Sequence, residues 1–159
     1  MSGPRRIQRR RRRGWRLPDR AVYVGRPTVW GNWYRVSRSS AYHGLPGSWF
    51  VMDDSGTAYH PAEDTQRSAR QLAVELFATS VADGRDPRLT QAQIRSELAG
   101  RDLVCWCPST EPCHADVLLA VANEPSAHSA PARPVFGRRA REARESLEQP
   151  GQRRTAPPR

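Results

Sequence analysis

The chain has 159 residues and a formal net charge of +10, and its 26 basic residues are all Arg. That length allows one modest core, the absence of Lys excludes Schiff-base and lysine general-base chemistry, and no apolar run approaches a membrane span. The charge is unevenly placed: residues 1 to 20 hold nine Arg and one Asp, residues 21 to 123 nine Arg and eleven acids, and residues 124 to 159 eight Arg and four acids.

This distribution predicts a nearly neutral body between two basic arms, rather than a uniformly basic globule. No apolar stretch follows the first arginines, so no secretory leader is expected. The three cysteines, an odd number, are expected as reduced thiols in a cytoplasmic protein.

Residues 1 to 20 read as a disordered Arg-rich arm. The body, residues 21 to 123, opens with the apolar run Ala21 to Val24, a strand ended by Gly25. Trp33 to Val36 is a second strand candidate. Ser48 to Met52 and Thr57 to Tyr59 flank the turn residues Asp53 to Gly56 and predict a hairpin. Pro61, Glu63 and Asp64 suit a helix start, and Leu72, Leu76 and Val81 share a face, which predicts a helix over about 62 to 82. Thr90 with Gln93 forms a capping-box pattern for a helix through Leu98, stopped by Gly100. Leu103 to Trp106 reads as a strand and His114 to Asn123 as a last helix. Residues 124 to 159, rich in Pro, Ala, Arg, Ser and Gln, read as a disordered basic tail. The expected fold class is α/β: a small single domain, a short and mostly buried sheet with three helices, flanked by disordered basic arms.

All three cysteines fall in the run VCWCPSTEPCHADVLL. Cys105 and Cys107 stand two apart at a strand end, where their thiols share a face while the strand persists. Cys113 and His114 follow a Pro-bounded loop at a helix start, where the dipole and free N–H groups favour a thiolate. Three chemistries are open. Cys105, Cys107, Cys113 and His114 satisfy the ligand count of a Cys3His zinc site, with iron–sulfur ligation the less favoured alternative. Cys113 can instead be a nucleophile or redox thiol, with His114 or Asp116 moving protons. The plainest option is that the cysteines only pack and Asp116 only favours the helix dipole.

A second motif runs from Tyr23 to Asn32. Gly25 permits a sharp turn, Arg26 and Thr28 suit a phosphate or carboxylate, Trp30 offers a stacking face, and Asn32 a paired donor and acceptor. The same residues also make an ordinary loop whose Trp packs inward. His43, His60 and His128 lie outside both motifs and read as solvated or packing residues.

Taken together, Val-Tyr-Val-Gly-Arg-x3-Trp-Gly-Asn and Gly-Arg-Asp-Leu-Val-Cys-Trp-Cys-x5-Cys-His-x-Asp-Val-Leu resemble the bacterial and phage family known as domain of unknown function 4326, over about residues 21 to 123. The resemblance marks Gly25, Arg26, Trp30, Gly31, Asn32, Gly100, Arg101, Cys105, Trp106, Cys107, Pro112, Cys113, His114 and Asp116 as motif positions. Trp33 and Ala115 stand where the family commonly has Pro and Gly.

Two functions are therefore expected to compete. One is an enzyme-like domain acting on a nucleotide or nucleic-acid-derived substrate: Gly25, Arg26, Thr28, Trp30, Asn32 and Arg101 bind the ligand, and Cys113, His114 and Asp116 are catalytic or the cysteines hold zinc. The other is a noncatalytic nucleic-acid-binding or adaptor protein that works through its Arg-rich arms, with structural cysteines. Neither involves a membrane.

Overall fold

The computed structural model describes residues 3–40 and 47–125. Six short strands and three helices follow in the order β1 (Arg6–Gln8), β2 (Val22–Tyr23), β3 (Arg35–Arg38), β4 (Trp49–Met52), β5 (Ala58–Tyr59), α1 (Gln66–Ala82), α2 (Gln91–Leu98), β6 (Leu103–Cys105) and α3 (His114–Asn123). The result is a small mixed α/β domain with two three-stranded sheets where the sequence predicts one.

The first sheet has the order β1-β6-β2, and both outer strands run parallel to β6. All three strands therefore finish at one end, where ligands collect in open parallel sheets. The central strand β6 is buried along its whole length, which explains the unbroken apolar run Leu103-Val104 before Cys105.

The strand β1 corrects the expectation that residues 1 to 20 lie outside the domain. Arg6, Ile7 and Gln8 pair with Leu103, Val104 and Cys105, and the ladder extends through Leu103 N–H donating to Arg5 O and Arg9 N–H donating to Cys105 O. A run of like charges normally favours solvated chain. Here the backbone pairs with an otherwise unpaired edge of β6, while the heads of Arg5 and Arg6 meet carboxylates and those of Arg9 and Arg11 meet rings. The expected tail beyond residue 125 and His43 lie outside the described residues.

The second sheet is the antiparallel meander β3-β4-β5. Its β4–β5 turn is organised by Asp53, whose Oδ1 accepts from Ser55 N–H, Ser55 Oγ and Thr57 N–H. Burial pulls the Asp53 carboxyl up, but the bonds from Ser55, Thr57 and Tyr59 outweigh it and hold it below the ordinary value. The second strand starts two residues later than predicted, because Asn32 Oδ1 accepts from Tyr34 N–H and holds that segment out of the ladder.

The helix α1 joins the two sheets. Phe77 and Val81 enter a core with Val24, Leu103 and Leu118, whereas Ala69, Leu72, Ala73 and Leu76 pack with Val51 in a second core. The helix begins at Gln66 rather than near residue 62, since extended Thr65 caps it by accepting from Ser68 N–H and Asp64 is engaged with Trp49 N–H at 2.6 Å. The predicted capping box of α2 is present in both halves, Thr90 to Gln93 and back. Gly100, with φ of 69°, adopts the left-handed turn that ends α2 and feeds β6.

Candidate metal centre

The structure closes Cys105, Cys107, Cys113 and His114 into one cluster whose ligand atoms all lie within 4.8 Å of one another. Local geometry accounts for each member. Same-face thiols two apart on a strand are normally about 7 Å apart, but β6 ends at Cys105 and the chain bends, bringing the Cys105 and Cys107 sulfurs to 3.5 Å. Cys113 and His114 are adjacent, which on a helix would turn them about 100° apart. Cys113 is instead the extended N-cap of α3, with φ −147° and ψ 138°, and its Sγ stands 3.8 Å from His114 Nδ1.

His114 is oriented from behind. Its Nε2 lies 2.8 Å from the Val24 carbonyl, an atom that can only accept, so Nε2 carries the proton and Nδ1 presents its lone pair to the thiols. The ring also meets Phe77 edge-on at 5.5 Å. A carbonyl bonded to the outer nitrogen is the usual support for a metal-bound imidazole.

The cluster's electrostatics change with occupancy. Contacts with the neighbouring Cys107 and Cys113 thiols lower the Cys105 thiol, while the same sharing of charge, with burial, raises Cys107 and Cys113. Closely packed thiols titrate together and share one negative charge among them, and the α3 N-terminus still favours that charge at Cys113, whose Sγ accepts from Ala115 N–H. A dication at the centre would supply the charge that lets all three sulfurs ionise. Zinc–sulfur bonds of about 2.3 Å place sulfurs roughly 3.8 Å apart in a tetrahedron, so the cluster is compatible with zinc. Iron–sulfur clusters most often take four Cys, or two Cys and two His in the Rieske case, so zinc remains the closer match to this set.

The residue that sequence reading missed is Arg6. From β1 its guanidinium donates to the carbonyls of Pro108, Ser109 and Glu111 and to the Asp116 carboxylate at 2.8 Å. It is only 11% exposed and ties the whole Cys107–Cys113 loop to the sheet. Arg67 and Arg70 hold Glu111 from α1. Asp116 is therefore an anchor for Arg6, and burial raises its carboxyl despite that partner. The Arg6→Ala variant is expected to lose about 3 kcal/mol, because three carbonyls and a carboxylate lose a charged donor. Thermal unfolding should show a fall of roughly 10 °C; an unchanged midpoint would contradict this role.

The second motif divides. Gly25 and Arg26 follow Val24, so the start of the loop lies beside the cluster through the His114–Val24 bond. Arg26 is exposed. Thr28 Oγ1 donates back to Gly25 O at 2.8 Å, Trp30 is 7% exposed within the first core, and Asn32 Nδ2 donates to Ala73 O on α1. These three serve the packing alternative. Gly31 is required by close approach, since a Cβ there would come within 2.8 Å of Arg26 Cγ. Arg101 precedes β6, at the sheet end away from the cysteines, where its Nε donates to Arg20 O. An open hollow of about 370 Å³ beside Trp33, Tyr59 and Arg88 has its charges matched internally, with Arg88 bonded to Asp86 at 2.6 Å.

Fold and site together define a small mixed α/β domain built around a Cys3His cluster at the C-terminal end of a parallel sheet. Residues 7–124 match a family of proteins described as Domain of unknown function (DUF4326), and the chain belongs to that family. The match begins inside β1, in keeping with its place in the domain. No curated protein and no solved structure matches the chain. Among the described residues, no helix is long and apolar enough to cross a membrane.

Proposed function

We propose that the chain is a zinc-stabilised, noncatalytic nucleic-acid-binding module. The observation that carries this reading is the complete four-ligand set within 4.8 Å. Three Cys and one His fill every position of a tetrahedral zinc, the pattern of structural sites, whereas catalytic zinc keeps one position for water. Cys105 and Cys113 are 3% and 1% exposed, which suits ligands and not an attacking thiolate that must reach a substrate. The zinc joins the end of β6 to the start of α3 and so fixes the corner on which the sheet depends.

Nucleic acid as the partner is supported by the charge that the fold leaves over. Arg5, Arg6, Arg67, Arg70, Arg85 and Arg88 each meet a carboxylate. Among the described residues, no ion pair involves Arg9 through Arg13, Arg16 or Arg26. Unpaired arginines of this density attract phosphates and release counterions.

The test is fluorescence anisotropy of the full chain with a labelled mixed-sequence oligonucleotide across a salt series. For about five phosphates neutralised, log affinity falls against log salt with a slope of roughly −3.5 to −4.5. Changing Arg10, Arg11, Arg12 and Arg13 to Gln should flatten that slope by about 3 with zinc content unchanged. Absence of binding at low salt, or equal binding by the quadruple variant, would overturn the assignment.

A further inference from the structure

We infer that the C-terminal end of the parallel sheet is a stacking platform for single-stranded nucleic acid, centred on Trp106 and flanked by Arg9 and Arg11. The inference rests on the nucleic-acid reading above and adds which form of nucleic acid is taken and by which residue.

Trp106 lies between two members of the metal cluster, Cys105 and Cys107, so its backbone is held on both sides. Cys105 is 3% exposed, yet the adjoining indole is 38% exposed. A large ring that stays more than a third exposed although two arginines lie against it is unusual for packing and suited to stacking, since an aromatic on an anchored backbone loses little freedom on binding. The Arg9 backbone is likewise anchored, because its main-chain N–H donates to Cys105 O at 2.8 Å. Its guanidinium stands 4.8 Å from the Trp106 ring centre, 4.9 Å from Tyr23 and 5.9 Å from Trp15. Arg11 lies 5.0 Å from Trp106. The two guanidiniums therefore sit against the ring that a base would share, and their N–H groups remain available for phosphate, since no ion pair among the described residues engages either one.

This alternation of aromatic rings and unpaired arginines fits a strand whose bases are accessible. In a duplex the base faces are stacked on one another and offer nothing to an indole, and only the phosphate contacts remain. A single strand exposes each base face to stacking while its phosphates meet the arginines. Tyr23 extends the platform onto β2, where its hydroxyl donates to Arg26 O, placing exposed Arg26 next along the same edge.

The experiment compares the full chain and its Trp106→Ala and Trp106→Phe variants. The probes are a 15-nucleotide DNA, the RNA of the same sequence, and the corresponding DNA duplex, at one physiological salt concentration. The parent is expected to bind at least one single strand about tenfold or more tighter than the duplex. Trp106→Ala should lose about tenfold on that strand and little on the duplex, at unchanged zinc content, and Trp106→Phe should retain most of the affinity. Preference for RNA or for DNA assigns the sugar and supports the platform either way. Equal affinity for strand and duplex, or an unaffected Trp106→Ala protein, overturns the inference and leaves the module reading standing. Failure to bind any probe overturns that reading itself.

Discussion

The Cys113→Ser protein is expected to melt about 15 °C below the parent and to carry almost no zinc, and a chelator added to the parent should reproduce the shift. The size follows from linkage. A ligand held at a thousand times its dissociation constant stabilises the folded state by about 4 kcal/mol, and each kcal/mol moves the midpoint of a domain this size by roughly 4 °C. Serine is nearly isosteric with cysteine, so packing alone predicts a small change. Cys113 also caps α3, its Sγ accepting from Ala115 N–H at 3.4 Å, and a serine hydroxyl can take over that contact. Scanning calorimetry with and without chelator separates the two accounts: a variant that melts with the parent, together with chelator insensitivity, would leave the cysteines as packing residues.

Removing residues 1 to 9 should unfold the domain, whereas replacing Arg10 through Arg13 with Gln should leave its midpoint within about 2 °C. The truncation removes β1, the ladder bonds at Arg5 and Arg9 and all four guanidinium contacts of Arg6. It leaves one edge of β6 without partners. A total above about 5 kcal/mol approaches the whole stability of a typical domain. Circular dichroism of both proteins decides it, and a folded truncation would contradict the placement of β1. Deleting the arm is consequently a poor assay of nucleic-acid binding, because lost affinity would report unfolding. The Gln variant changes charge without touching the strand.

What the sequence made legible was local. The hairpin turn at Asp53 to Gly56, the Thr90–Gln93 box, the Gly100 stop and the crowding of three cysteines each depend on neighbours within a few positions, and each is found as expected. The strand β1 was hidden because its cause is remote: Arg6 to Gln8 form a strand only by pairing with residues 103 to 105, while their local composition resembles solvated chain. Ile7, isolated among arginines, was the available signal. Trp30 and Asn32 misdirect for a related reason. An aromatic and an amide after a glycine turn look the same whether they face a ligand or α1, and only the acceptor at Ala73 decides. The pairing of Cys113 with His114 was legible as composition but not as geometry, since it requires the chain to change from extended to helical between them.

The central claim is tested most directly by the metal content of the full 159-residue chain, purified anaerobically without chelator and with β1 intact. Elemental analysis should find about one zinc per chain, falling close to zero in Cys105→Ser and His114→Ala proteins. A folded parent that carries no zinc, and takes up none when zinc is supplied, would contradict the account.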